Sequence, residues 1–391
     1  MPQLLIRNAS VVTLDGVEGG LSVLCDRGRI VRVVADADLA GRSAEQVVDA
    51  GGGYLCPGLI DLHIHGVHEF LVDNGPDDLA RMCQILPRYA VTAFLPTVCP
   101  RPKGQDARCV ASLAQVRSSA AQILGLHLEG PFLTMTGALP PEALGKADPD
   151  RVRALIAAAA PYPAVFSISP DFERITELIP LMAAGGRPVF MTHTSAGVAQ
   201  TQAAIEAGAR HATHLYDVFK APEETEPGVR PCGALEAILA DPRVSVDFIL
   251  DGEHVHPVAV RMALACKGPD RVCLITDANI GAGLPPGRYQ FGADEVEFAY
   301  PGGPARMTAN SRHPGVLAGS GLTLDLAVRN AVRLAGVELH QAVRMASANP
   351  AQVLGLEKTK GRVQEGYDAD LALLKEDLTV RQTWIAARPM L

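Results

Sequence analysis

Apolar runs of strand length alternate with helix-length stretches through the middle of the chain, the rhythm of βαβ units that feed a parallel sheet. Eight such runs stand out, at residues 58–66, 91–98, 123–130, 164–170, 188–194, 211–219, 244–252 and 271–278. Eight parallel strands with intervening helices predict a (β/α)8 TIM-type barrel, and ~250 residues of barrel fit within a chain of 391. Two helix starts are plain: Asp148-Pro149 ahead of DRVRALIAAAA, and His256-Pro257 ahead of VAVRMALACK, with proline at the first helical position. Outside this stretch the texture changes. Residues 1–56 read as short β segments broken by Gly- and Asp-rich turns, and residues 361–391 repeat that pattern. Chain termini often lie close together, so both ends are expected to build one small β-sandwich domain beside a barrel domain spanning 57–360. Residues 279–320, rich in Gly and Pro, are expected to be an active-site insertion rather than a linker.

Composition then excludes some function classes. The net charge is −8 and the Lys and Arg residues are scattered, which removes the electrostatic footprint of a nucleic-acid binder and leaves a small molecule as the expected partner. No run approaches 18 uninterrupted apolar residues, and MPQLLIRNAS lacks a basic start followed by a long apolar stretch, so a cytoplasmic protein without membrane contact is expected. Eight cysteines with no CxxC pair read for the most part as buried packing residues, not as a disulfide framework or a zinc knuckle.

Barrel strands are covered on both faces and should be almost wholly apolar, so ionisable residues at their C-terminal ends need a reason. His63 and His65 end the first run two residues apart and project to the same face. Glu129 follows on the third run, His193 on the fifth, His214 on the sixth and Asp277 on the eighth. Imidazoles and carboxylates are the ligands expected for zinc, iron or a similar divalent ion. One histidine in a strand is ordinarily a hydrogen-bonded core residue; six convergent groups point to a metal centre. His127, two residues before Glu129, faces the same way one layer deeper and reads as support or core. His68, His211, His256, His313 and His340 read as surface or helix-end residues.

PGLIDLHIHG (57–66), GLHLEGPFL (125–133), MTHTSAG (191–197), ATHLYD (212–217), DGEHVHP (251–257), LITDA (274–278) and Leu317-Ala318-Gly319-Ser320 together resemble the amidohydrolase superfamily over nearly the whole chain. LHLEGP and THLY are the more specific segments, similar to the N-acetylglucosamine-6-phosphate deacetylase branch. The resemblance implies that Glu129, His193 and His214 hold a principal metal, and that His63 and His65 hold a second one bridged by Glu129. It implies zinc first, with iron or another divalent ion as alternatives, and one or two ions. Asp277 would be the catalytic proton carrier while a metal-activated water attacks the acyl carbon. His254, Tyr216, Asp217, Arg230 and Ser320 would contact substrate, and a homodimer is expected because relatives form one.

The recognition half of the branch pattern is altered. FLTMTGALPPEALGK carries no histidine where relatives have one, and Thr225 stands where an Arg precedes Glu-Pro-Gly, leaving Arg230 as the nearest substitute. Asp217 replaces an Asn and adds negative charge, which is unhelpful for a phosphate. The implied activity is removal of an N-acyl group, acetyl first, from an amino sugar such as N-acetylglucosamine 6-phosphate. Alternatives are an unphosphorylated or other N-acyl amine, another amidohydrolase reaction such as cyclic amide hydrolysis or deamination, and a catalytically dead metal-binding protein. Retention of Asp277 argues against the last of these, because pure binding needs no proton carrier.

Overall fold

The computed structural model describes residues 3–39 and 43–390. Eight parallel strands form the barrel wall: β1 (Leu59–Ile64), β2 (Val91–Val98), β3 (Leu126–Phe132), β4 (Ala164–Ile168), β5 (Val189–Met191), β6 (Ala209–Ala212), β7 (Ser245–Ile249) and β8 (Val272–Ile275). Neighbours in sequence are neighbours in the sheet. A parallel bridge between Ile64 and Ala278 joins the two ends and closes the ring. Every residue of β1 and β2 is buried, as expected for strands covered on both faces. The helices Pro149–Ala159 and Pro257–Lys267 start where their prolines predict. Asp148 caps the first by accepting from the Asp150 and Arg151 amides, and the His256 ring accepts from the Val258 amide at the second.

Two expectations change in detail. The sixth strand occupies 209–212 and not 211–219: the chain turns at His214, and residues 213–219 become a loop. Residues 279–320 are more ordered than their Gly and Pro content suggests. They hold the four strands of an antiparallel meander, Gly287–Phe291, Asp294–Phe298, Pro304–Met307 and Leu317–Ser320. Val296, Phe298, Ala305 and Met307 of the meander pack with Leu71 in a core of their own. The Asn279 side chain donates from Nδ2 to the Ala318 carbonyl at 2.7 Å, tying the meander to the end of β8.

Both chain ends meet in one branched sheet. Strand Leu4–Val12 pairs with Val17–Asp26, with Gln46–Asp49 and with Tyr54–Pro57, and Tyr54–Pro57 pairs in turn with Leu371–Leu374. Leu4, Ile6, Val23, Leu55, Leu371 and Trp384 are among the residues that fill its separate core. Tyr54–Pro57 runs into β1 through Gly58, where an added Cβ would lie 2.2 Å from Thr92 Oγ1, so only glycine fits that passage. No described helix is long and apolar enough to cross a membrane.

Candidate metal centre

The alternation of a strand puts His63 and His65 on one face at the mouth of β1, with their Nε2 atoms 3.1 Å apart. Glu129, in β3, lies opposite. Its Oε2 stands 3.7 Å from His63 Nε2 and 3.2 Å from His65 Nε2, while its Oε1 stands 3.2 Å from His193 Nε2 and 3.1 Å from His214 Nε2. One carboxylate therefore faces two sets of imidazoles, one with each oxygen. Asp277 Oδ1, buried and without a hydrogen-bond partner among the described residues, lies 3.4 Å from both His63 and His65 Nε2.

The donor set fits a divalent cation. Zinc–nitrogen bonds of about 2.0–2.1 Å in a tetrahedron place neighbouring ligand atoms roughly 3.3–3.4 Å apart, and the N···O separations here are 3.1–3.7 Å. Ligand atoms lie within 4.8 Å of one another in three groups: His65, Asp73 and Cys99; His63, Glu129 and His214; and His63, His65 and Asp277. His63 belongs to the last two, and His193 joins through Glu129 Oε1.

Backbone conformation aims these groups. His193, His214 and Asp277 all have φ near +40° (47°, 36° and 44°), a left-handed region that costs a non-glycine residue of order 1–3 kcal/mol. Such strain persists only where the surroundings impose it, and they do. His193 is held by its Nδ1 donating to the Met135 carbonyl (3.1 Å) while its own carbonyl accepts from Ser169 Oγ (2.6 Å). Its Nε2 is left to face the centre. The His214 amide donates to Asp247 Oδ1 at 2.5 Å, and Asp247 also accepts from Thr213 Oγ1 (3.1 Å) and pairs with His211 Nε2 (2.7 Å). The Asp277 amide donates to the His63 carbonyl (2.9 Å), and its carbonyl accepts from the Ser320 amide (2.8 Å).

Electrostatics follow the same layout. Burial alone would raise the Glu129 carboxyl, but His63 and the hydrogen bonds from His193 and His214 outweigh it and hold the group well below the usual carboxylate range. His127 is pushed well below an ordinary histidine by burial and by His63, so its ring is neutral. That ring bonds the Leu62 carbonyl (3.0 Å) and Ser167 Oγ (2.6 Å), consistent with the supporting position expected for it. Burial raises Asp61, beneath the histidine pair, to about 7, although Thr276 Oγ1 donates to it at 2.6 Å.

The centre opens into a cavity of about 410 Å³ whose lining includes Asp73, Asp217 and Asp277 together with Arg101 and Arg312. The turn Phe291–Ala293 of the meander forms part of its wall, so the insertion does reach the site. Of the expected substrate contacts, Asp217 lines the cavity and four do not. Ser320 is fully buried, its hydroxyl spent on the Thr276 carbonyl (2.6 Å). Tyr216 stacks on Phe248, with centroids 6.4 Å apart. The Arg230 side chain is 84% exposed and lies 3.7 Å from Glu236. The His254 ring is buried and outside the cavity lining, its Nδ1 2.6 Å from Asp251 Oδ2 and its Nε2 unpartnered among the described residues. Burial depresses its pKa, but Asp251, with smaller contributions from Asp217 and Asp277, outweighs it and raises the group. His211, expected at the surface, is wholly buried between Ser245 and Asp247, because β6 starts before it and carries it inside.

Several residues of the site went unread in the sequence. Asp61 and Asp247 sit inside the strand-like apolar runs 58–66 and 244–252, and an acid inside such a run is itself a signal. Arg101 and Arg312 lie in loops and carry no local signal.

The amidohydrolase family profile matches residues 54–390. An N-acetylgalactosamine-6-phosphate deacetylase from Escherichia coli is 34% identical over 345 residues, covering 87% of this chain and 88% of that protein. An N-acetylglucosamine-6-phosphate deacetylase from Lysinibacillus sphaericus is 31% identical, covering 98% and 97%. Among solved structures, the N-acetyl-D-glucosamine-6-phosphate deacetylase of Mycobacterium smegmatis superposes with a TM-score of 0.87 at 29% identity, covering 100% of both chains. The Pasteurella multocida enzyme of the same name gives 0.87 at 25% identity, covering 99% of both.

Proposed function

The chain belongs to the amidohydrolase family, and on that premise we propose that it is a metal-dependent deacylase that removes the N-acetyl group of an amino sugar. Relatives at 31–34% identity carry that activity in their names, on hexosamine 6-phosphates. The observation that carries the reading is Glu129, whose two oxygens face His193 with His214 on one side and His63 with His65 on the other. His63, His65, Glu129, His193 and His214 would hold one or two divalent ions, zinc the first candidate. When bound, such an ion activates water for attack at neutral pH and polarises the scissile carbonyl.

This chain's own residues do the rest. Asp277 faces the histidine pair with a free oxygen, from which it takes the proton of the attacking water and returns it to the departing amine. Its φ of 44° and its two backbone hydrogen bonds fix that oxygen in place. Asp217 lines the cavity within reach of sugar hydroxyls, and a volume of about 410 Å³ suits a small-molecule ligand, for which roughly 300–1,000 Å³ is usual.

The test is acetate release from N-acetylglucosamine 6-phosphate, N-acetylgalactosamine 6-phosphate and their unphosphorylated forms, using protein stripped of metal and reloaded with zinc. Activity should follow reloading, and Asp277→Asn should lower kcat by roughly 100- to 10,000-fold. Asp277→Asn keeping wild-type kcat, or ammonia rather than acetate as the product, would overturn the reading.

A further inference from the structure

We infer that Arg101 and Arg312, the two arginines lining the cavity, form the recognition site for an anionic group of the substrate, a phosphate or a carboxylate apart from the N-acyl group. This rests on the deacylase reading for its substrate but on its own observations for the site. The cavity lining carries charge of both signs. Asp217 and Asp277 line it, and an anion placed against them would meet like charge. Arg101 and Arg312 are the two guanidiniums in the lining, and Asp73, the acid beside Arg101, is already paired with it.

Both guanidiniums are held in orientation and still have N–H groups to offer. Arg101 donates from Nη2 to the Asp73 carbonyl (2.7 Å) and to Asp73 Oδ1 (3.1 Å), and its buried Nε has no partner among the described residues. Its backbone is fixed from behind: the Arg101 carbonyl accepts from Arg151 Nη2 (2.7 Å), and Arg151 Nε is bonded to the buried Asp106 (2.7 Å). Arg312 donates only from Nε, to Asp294 Oδ2 (2.7 Å), and Asp294 also accepts the Arg312 amide (2.9 Å). Its Nη nitrogens make no hydrogen bond among the described residues. A guanidinium carries five donors in a fixed fork, and a carboxylate behind it leaves the outer edge to grip a second oxyanion. Arg230 is not at this cavity; its exposed side chain lies beside Glu236.

The readout is the ratio of kcat/KM for N-acetylglucosamine 6-phosphate to that for N-acetylglucosamine, with an N-acetyl amino acid against its amide as the carboxylate arm. The wild type should prefer the anionic member of at least one pair, and which pair identifies the anion. Arg312→Gln and Arg101→Gln should each cut that ratio roughly ten- to hundred-fold, mostly through KM, with metal content unchanged. Arg312→Lys should recover part of the loss, and Arg230→Gln should leave the ratio alone. Arg312 sits in a loop of the insertion, so its variants keep the test open if Arg101→Gln folds poorly. Calorimetric binding of glucosamine 6-phosphate to the metal-loaded protein is read alongside. Weaker binding in the arginine variants supports the site even if no substrate is deacylated, a result that would sink the deacylase reading alone. The proposal is overturned if neither arginine variant changes the ratio or the binding, or if Arg230→Gln lowers the ratio in their place.

Discussion

Asp247→Ala should be among the most damaging single changes outside the coordinating groups. The carboxylate is wholly buried and accepts from the His214 amide, from Thr213 Oγ1 and from His211 Nε2. Thr213 Oγ1 has a second neighbour in His63 Nδ1 at 3.4 Å, and His211 keeps Ser245 through its other nitrogen. The His214 amide and His211 Nε2 would be left unpaired, and at about 1–3 kcal/mol for each buried group the loss is about 2–6 kcal/mol. That is a large share of a total stability of about 5–15 kcal/mol. The left-handed His214 would also lose what imposes its conformation, so metal affinity should fall by about 10- to 100-fold, as for other groups that orient a ligand. Asp247→Asn keeps one oxygen for His214, and its amide can donate to His211 Nε2 if that ring takes its other tautomer, so it should cost less than half as much. Urea unfolding and metal titration of the three proteins provide the check. Equal damage from Asn and Ala would refute the hydrogen-bond argument and point to the charge itself; wild-type stability in Asp247→Ala would refute both.

Other outcomes follow from the same geometry. Glu129→Gln sets an NH2 group against imidazole nitrogens and should cost more metal affinity than the roughly 100-fold upper end for groups that only orient ligands, read by elemental analysis after dialysis. Gly319 has φ +69°, and an added Cβ would lie 2.5 Å from the Asp277 carbonyl, so Gly319→Ala should destabilise by at least about 1–3 kcal/mol and lower kcat with metal content retained. The pKa of His254 is raised in the fold, so its pairing with Asp251 adds stability that is complete below the unfolded value and lost as pH rises through the folded one. The stability difference between wild type and Asp251→Ala should therefore be larger at pH 6 than at pH 9 in urea unfolding; a gap that grows with pH would contradict this assignment.

The barrel was legible because each strand is a short apolar run with a polar tip, and the candidate metal centre because those tips are where function shows on this fold. His63 and His65 could be paired from strand alternation alone. What stayed hidden depends on backbone turns and on long-range meetings. The sixth strand stops at Ala212 because the chain swings to positive φ at His214, and nothing in HATHLYDVF announces that. His211 reads the same in sequence whether it faces water or Asp247. Ser320 sits beside cavity-lining Gly319 yet turns its hydroxyl to the Thr276 carbonyl, a choice made by the closing of the ring. Arg101 and Arg312 line one cavity from loops far apart in the sequence, a juxtaposition with no local signature.

The junction at Gly58 has a bearing on how the protein is made. Tyr54–Pro57, the stem from which the first barrel strand grows, takes Leu371–Leu374 as a partner, and the Gly58 amide waits for the carbonyl of Asp370. On a ribosome delivering the chain from its N-terminus, that sheet margin stays open until nearly all of the protein has emerged. An open margin is an invitation to pair with a neighbouring copy. Nascent chains stalled before residue 371 should therefore depend on chaperones and form inclusion bodies when overproduced, even with every metal-centre residue already translated.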